Sequence, residues 1–228
     1  MRINIIGIGG VATWLLRPLL KFIEVTYAKV GELSDVEIVL IDGDTFTETN
    51  ADRQIFERCE NKALVVAKQC TEQFPSIFIR PVPEYVTREN IASLITKGDI
   101  VLMCVDNYST RKLISDHAED LTDIVIISGG NNFTDGNVQC FVREKGENKT
   151  LSIANEYHPE IQFPRDKNPG EIGCRERAES APQLIAMNMR IASDMLVEFW
   201  NYSKGNGCHD EVFSDIIIGS TRSVRRSP

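Results

Sequence analysis

The sequence predicts an α/β fold: a Rossmann-like mixed sheet, parallel in its first half and antiparallel in its second, with helices on both faces. Three observations predict it. A short apolar strand, residues 2–6, runs into a glycine-rich turn at Gly7, Gly9 and Gly10, then into a helical apolar pattern through Trp14, Leu15, Leu19, Phe22 and Ile23. Residues 36–41, 99–104 and 123–128 are continuous apolar runs, as expected of parallel strands buried on both faces. Asp135-Gly136 and residues 145–149 read as tight turns, so the second half should contain hairpins.

Composition sets the outer limits. At 228 residues the chain fits one domain, 1–228, with a full core. Apolar content of 42% and charged content of 25% are ordinary for a soluble globular protein. No apolar run approaches a membrane span and no signal-peptide pattern opens the chain, so no membrane partner is expected and the location reads as cytoplasmic. A net charge of −8 argues against nucleic acid as a partner. The six cysteines are scattered without a Cys-x-x-Cys pair, which fits a reducing compartment and no structural zinc.

In order along the chain, Pro18 should kink or close the first part of the first helix. A helix begins near Lys62. A strand at about 76–82 carries Pro81, so an edge position or early end is expected. Helices follow at about 87–97 and after Tyr108. The Asp135-Gly136 turn leads to a strand over 138–142, and the turn at 145–149 leads to 151–153. Residues 155–173 are irregular, and with the stretch to 179 they read as a mobile loop around Cys174. Ser180 and Pro182 read as a helix start, with the helix running to about Trp200. A last strand covers 212–218, and 222–228 reads as a flexible basic tail.

The candidate site collects at strand ends. Glycines at a strand–turn–helix junction let backbone approach a phosphate at a helix N-terminus. Asp42 and Asp44 follow the second strand, and Asn50, Arg53 and Gln54 follow them. A carboxylate can hold ribose hydroxyls, and a guanidinium pairs with phosphate oxygens. A solvated, capped loop is the competing reading. Asp106 and Asn107 end the fourth strand, where Asp106 either serves the site or caps a helix. Lys62 is either a site cation or a solvated lysine. A nicotinamide-type site would place its ribose acid about 20 residues after the glycines. Here Asp42 comes 35 residues after Gly7.

Together these residues resemble the ThiF/MoeB/HesA superfamily, bacterial relatives of ubiquitin-activating (E1) enzymes. The resemblance covers about 1–145 and rests on Gly7-x-Gly9-Gly10-x-Ala12, Asp42-x-Asp44, Asn50-x-x-Arg53-Gln54, Lys62 and Asp106-Asn107-x-x-x-Arg111. The C-terminal third is similar to short ThiF-type proteins of bacterial operons, the PRTRC type, in which a lone cysteine precedes a long helix and a final strand. The resemblance implies that Asp42 holds the ATP ribose, that Asn50, Arg53 and Lys62 bind the triphosphate, and that Asp106 ligates Mg2+. It implies adenylation of the C-terminal carboxylate of a ubiquitin-like protein ending in glycine, usually by a homodimer, with a possible E2-like acceptor.

Two departures accompany it. The N-terminal helical extension of MoeB and ThiF, which in MoeB carries an arginine into the partner subunit's site, is not expected here. The zinc-binding Cys-x-x-Cys pairs of MoeB are also absent. Cys174, between the 155–173 lead-in and a helix start and beside Arg175 and Arg177, is the candidate thioester-forming nucleophile, with a packed loop cysteine as the alternative. The competing function is a catalytically inactive nucleotide-binding scaffold.

Overall fold

The computed structural model describes residues 1–29, 31–51, 54, 56–171 and 183–226. The apolar runs become strands of one nine-stranded sheet. β1 (Arg2–Ile6), β2 (Glu37–Ile41), β3 (Phe78–Val82), β4 (Ile100–Met103) and β5 (Ile124–Asn131) pair in parallel in the order β3-β2-β1-β4-β5. β6 (Asp135–Glu144), β8 (Glu211–Asp215) and β9 (Ser220–Val224) continue it antiparallel, and β7 (Glu147–Asn148) pairs with β6.

Both faces of the parallel half are covered. α1 (Gly10–Ala28), α2 (Lys62–Gln73) and α6 (Ile185–Ser203) pack on one core with Ile38, Leu40 and Leu102. α3 (Ile91–Leu94), α4 (Tyr108–Glu119) and α5 (Pro159–Gln162) lie on the side of Val39, Ile41 and Val101. Alternate strand residues face opposite ways, so two buried faces demand an unbroken apolar run.

Several expectations are corrected. Pro18 does not close α1, which runs on to Ala28: the proline is exposed, where water can satisfy the carbonyl left without its helical partner. The helix expected at 87–97 shrinks to α3. There the Asn90 side chain accepts from Thr87 N at 2.8 Å and donates to Tyr85 O at 2.9 Å, competing with helical bonds. The turn expected at Asp135-Gly136 moves to 132–134, and both residues pair within β6. Asn132 N donates to Asp135 O at 2.8 Å and closes that turn. The turn at 145–149 is a hairpin, with Lys145 at φ 53° and Gly146 at φ 82°. Residues 151–153 do not extend it as a strand, because the Thr150 hydroxyl accepts the Val142 N–H at 2.8 Å.

The C-terminal third differs most. Residues 155–171 are not a loose loop: they contain α5, bury Ile161, and are pinned by Asp166 and Asn168. Residues 172–182, with Cys174 and the helix start expected at 180–182, lie outside the described residues, and α6 begins at Ile185. The expected strand at 212–218 ends at Asp215, whose carboxylate accepts Ile217 N and Ile218 N and turns the chain into β9. The expected tail from residue 222 is therefore strand to Val224. Arg226 then pairs with the fully buried Glu211 at 2.9 Å and lies 4.2 Å from the Tyr157 ring centre.

Removing Arg226 would leave the buried Glu211 carboxylate short of a charge partner. Arg226→Ala should cost about 1–3 kcal/mol of unfolding free energy by urea denaturation. A change near zero would return this segment to the status of a tail.

Candidate functional site

The carboxyl ends of the parallel strands open into a cavity of about 970 Å³. Gly7, Gly9 and Gly10 form one wall. Gly7 sits at φ 85°, and a Cβ there would lie 2.9 Å from Val105 Cγ1, so both the turn and the approach to β4's end exclude a side chain. A Cβ at Gly10 would collide with Asn188 and Gln183, so α6 closes directly on the glycine turn. α1 starts from Gly9 with no side-chain cap and no acid in its first turn, while Gly9, Gly10 and Val11 line the cavity. Its unpaired N–H groups favour an anion there.

Asp42 joins the two strand ends. Its carboxylate accepts Ile8 N at 2.6 Å and Asp44 N at 2.8 Å. Burial pushes its pKa up, against the pull of Lys62 and of those two N–H groups, and the net value stays above the ordinary one. Lys62 pairs with Asp44 at 2.7 Å and sits 5.9 Å from the Phe46 ring centre, which stacks on Phe56 at 4.5 Å. Asn61 caps α2 through Leu64 N and donates to the carbonyls of Asp42 and Asp44 at 2.9 and 3.0 Å. Lys62 is thereby fixed in the cavity wall rather than solvated.

Asn50 and Gln54 are buried cavity residues. The Asn50 amide oxygen closes its own turn by accepting Thr47 N at 2.9 Å. Gln54 Oε1 has no hydrogen-bond partner among the described residues. Arg53 lies outside the described residues.

Asp106 is exposed at the cavity edge with no ion-pair or hydrogen-bond partner among the described residues. Asn107, not Asp106, caps α4 by accepting Thr110 N at 2.8 Å, so the reading of Asp106 as the cap is corrected. Arg111 is buried and donates to Val105 O at 2.8 Å, Gly129 O at 2.9 Å and the Ser128 hydroxyl at 3.2 Å. Burial lowers its pKa against the pull of Tyr108 and Asp106. It clamps the ends of β4 and β5 and leaves positive charge beneath the floor.

Residues 163–170 border the cavity as a strap. Asp166 accepts Tyr108 N at 2.7 Å and Ser109 N at 2.9 Å at the start of α4, and Asn168 Nδ2 donates to Val86 O at 3.0 Å. The far wall holds Asn137, Gln139, His158 and Glu160. His158 Nδ1 lies 3.0 Å from Glu160, and Nε2 lies 2.9 Å from Glu211 without hydrogen-bond alignment. Sequence reasoning missed this wall, the strap, Gln183 and Asn188, because all arrive by tertiary contact. His158-Pro159 within an irregular stretch was the one visible signal.

A Rossmann-like sheet with a glycine turn, two acids and a fixed lysine at its carboxyl edge defines a nucleotide-binding class of protein. The chain belongs to the ThiF family, whose model matches residues 1–200. It is 28% identical over 233 residues to the sulfur carrier protein adenylyltransferase of Thermus thermophilus, spanning 98% of this chain and 79% of that one. It is 30% identical over 118 residues to the sulfur carrier protein ThiS adenylyltransferase of Escherichia coli, spanning 50% of this chain and 43% of that one. In fold it resembles Escherichia coli MccB solved with ATP, at a TM-score of 0.70 and 15% identity, covering 100% of this chain and 64% of that one. No described helix is long and apolar enough to cross a membrane.

The far wall makes a pH prediction. Burial alone would lower the His158 pKa, but Glu211 and Glu160 outweigh it and hold the value above 6.5. Burial alone would raise Glu211, but His158, Asn137 and Arg226 outweigh it and hold the value below 4.5. The histidine's contribution to stability is complete below 6.5 and is lost as pH rises through its elevated value. The glutamate's is complete above 4.5 and is lost as pH falls through its depressed value. The melting-temperature gap between the protein and His158→Ala should be widest between these limits and narrow at alkaline pH. A gap independent of pH would mean that His158 contributes packing alone.

Proposed function

We propose that this chain adenylates the C-terminal carboxylate of a small ubiquitin-like protein, using ATP. The observation carrying this reading is one cavity that holds the glycine turn, Asp42, Lys62 and Asp106 together. Its support is chemical. The Gly7–Gly10 backbone and bare α1 N-terminus suit phosphate, and Asp42 retains acceptor lone pairs for ribose hydroxyls. The Gln54 amide lies beside the same wall, with Nε2 3.9 Å from where a Gly9 Cβ would sit and Oε1 unpartnered among the described residues. Asp44 and Asn107 shape this site around the nucleotide, and Asn50, Arg53 and Lys62 stabilise charge on the phosphates. Asp106 offers a hard, exposed oxygen, which suits Mg2+ shared with phosphate oxygens. When bound, Mg2+ supplies charge neutralisation between phosphates.

In the reaction, a carboxylate oxygen of the tail attacks the α-phosphorus, and the bond to the bridging oxygen of pyrophosphate breaks. The products are an acyl-adenylate and pyrophosphate. The Cys174 thiolate then attacks the acyl carbon and expels AMP, leaving a thioester for an E2-like acceptor. The relatives' names, a sulfur carrier protein adenylyltransferase and a ThiS adenylyltransferase, support the first step. The second rests on the sequence around Cys174 alone.

ATP–pyrophosphate exchange dependent on a candidate protein tail tests the reading. Arg53→Ala and Lys62→Ala should each slow exchange by about two orders of magnitude, the loss of one preorganised charge contact. Asp106→Ala should abolish exchange while magnesium-free nucleotide binding changes less. Cys174→Ala should keep exchange and lose a reductant-sensitive conjugate with the tail protein. Tail-independent nucleotide binding without exchange would leave the inactive scaffold as the better description.

A homodimer is part of the proposal. Ile185, Met189, Val197 and Trp200 form an exposed apolar stripe on α6, while Met187, Ile191 and Met195 face the core. Light scattering at tens of micromolar protein should report a dimer, and a strictly monomeric species would defeat this part.

A further inference from the structure

A second cluster lies beside the C-terminal half of α6 and takes no part in the nucleotide cavity. Cys140 on β6, Glu198 on α6 and Cys208 in the loop before β8 bring two sulfurs and a carboxylate oxygen within 4.8 Å of one another. Their exposures are 1%, 1% and 7%, so the cluster is closed to bulk water. Cys140 Sγ lies 3.8 Å from Glu198 Oε2, and Cys208 Sγ lies 3.8 Å from the Glu198 carbonyl oxygen. The other side of the carboxylate is held by His209, whose backbone N–H donates to Oε2 at 2.9 Å and whose Nδ1 lies 2.9 Å from Oε1.

As plain core this arrangement is weak on its thiol side. A buried carboxylate wants strong donors, and a thiol is a weak one. No lysine or arginine pairs with Glu198 among the described residues. The Glu198 carboxylate has His209 and the Asn201 Nδ2 group, 3.3 Å away, as partners, whereas the two thiols beside it have only weak, long contacts in a dry space. A divalent cation would give both sulfurs a strong partner there and share the carboxylate that lies between them.

We propose that Cys140, Cys208 and Glu198 bind a zinc-class divalent cation, with His209 orienting the carboxylate. Two thiolate sulfurs and one carboxylate oxygen are a donor set for zinc and exclude magnesium or calcium, which take oxygen. Zinc–sulfur bonds of about 2.3 Å and zinc–oxygen bonds of about 2.1 Å place tetrahedral ligands roughly 3.5–3.8 Å apart, so a contraction of about 1 Å closes the site. A water takes the fourth position. The carboxylate–histidine contact is the outer-shell pairing that fixes metal ligands. Binding converts two thiols to thiolates and releases two protons to solvent.

Spacing in the sequence points away from zinc, because residues 140, 198 and 208 form no short motif. The fold supplies the proximity: Cys140 N donates to Asp210 O at 3.0 Å, drawing the 204–210 loop onto β6 beneath α6. The metal would clamp these three segments.

The test uses the full chain, stripped with chelator and titrated with Co2+ and then Zn2+. One equivalent of Co2+ should give a near-ultraviolet thiolate-to-cobalt charge-transfer band that Zn2+ bleaches, and an unbuffered titration should release two protons per zinc. At free zinc about 100 times its dissociation constant, the melting temperature should rise by about 5–10 °C. The band and the shift should vanish in a Cys140→Ser, Cys208→Ser double variant and persist in Cys70→Ser, a buried cysteine outside the cluster. Absence of the band in folded wild-type protein would overturn the proposal, as would a band that survives the double variant. If that variant does not fold, Glu198→Gln and the proton count on wild type decide: fewer than two protons overturns it.

Discussion

The site depends first on one buried carboxylate. Asp42 follows the last residue of β2, and its two oxygens hold the N–H of Ile8, just beyond β1, and of Asp44 in its own loop. The glycine turn, the acidic loop and the start of α2 therefore share one set of hydrogen bonds, completed by Asn61 on the carbonyls of Asp42 and Asp44. Little of this tolerates independent movement. The cost is a carboxylate taken largely out of water, which backbone donors and Lys62 offset only in part.

Arg111 does the corresponding task on the other side of β1. Its donors reach the ends of β4 and β5 at once, so the floor beneath Asp106 is set by a side chain that never needs a carboxylate partner. The guanidinium is satisfied by neutral acceptors and keeps its field for the cavity. Beyond β5 the sheet turns antiparallel, and its face toward the cavity brings Asn137, Gln139 and the His158 wall against the nucleotide half.

The parallel half was legible because burial on both faces leaves a plain mark: Ile38, Val39, Leu40 and Ile41 are apolar without interruption. The glycine turn and the acids after β2 and β4 could be placed from local pattern, since strand ends and helix starts are local events. Asp106's alternative as a cap was undecidable without seeing Asn107 on Thr110 N. The C-terminal third was less legible. Residues 155–171 carry few periodic apolar positions, and their order comes from Asp166 and Asn168 reaching elements far away in sequence. β9 was hidden for a similar reason: Ser220–Val224 is an exposed, polar edge strand, so no apolar alternation announced it. Arg226 looked like a tail charge because its partner, Glu211, lies across a hairpin.

The helices that point into the cavity are not electrically equivalent. α1 arrives bare, whereas α2 is capped by Asn61 and α4 by Asn107, with the Asp166 carboxylate already seated on the α4 backbone. An internal anion thus quenches the positive end of α4, and the neighbouring carboxylate of Asp106 meets less opposing field from its own helix. The cavity thus differs along its length: the glycine turn is receptive to anions through its bare helix end, while the β4 edge sets the exposed Asp106 carboxylate against the buried Arg111 cation. A molecule with an anionic end would be oriented by this difference before any specific contact forms.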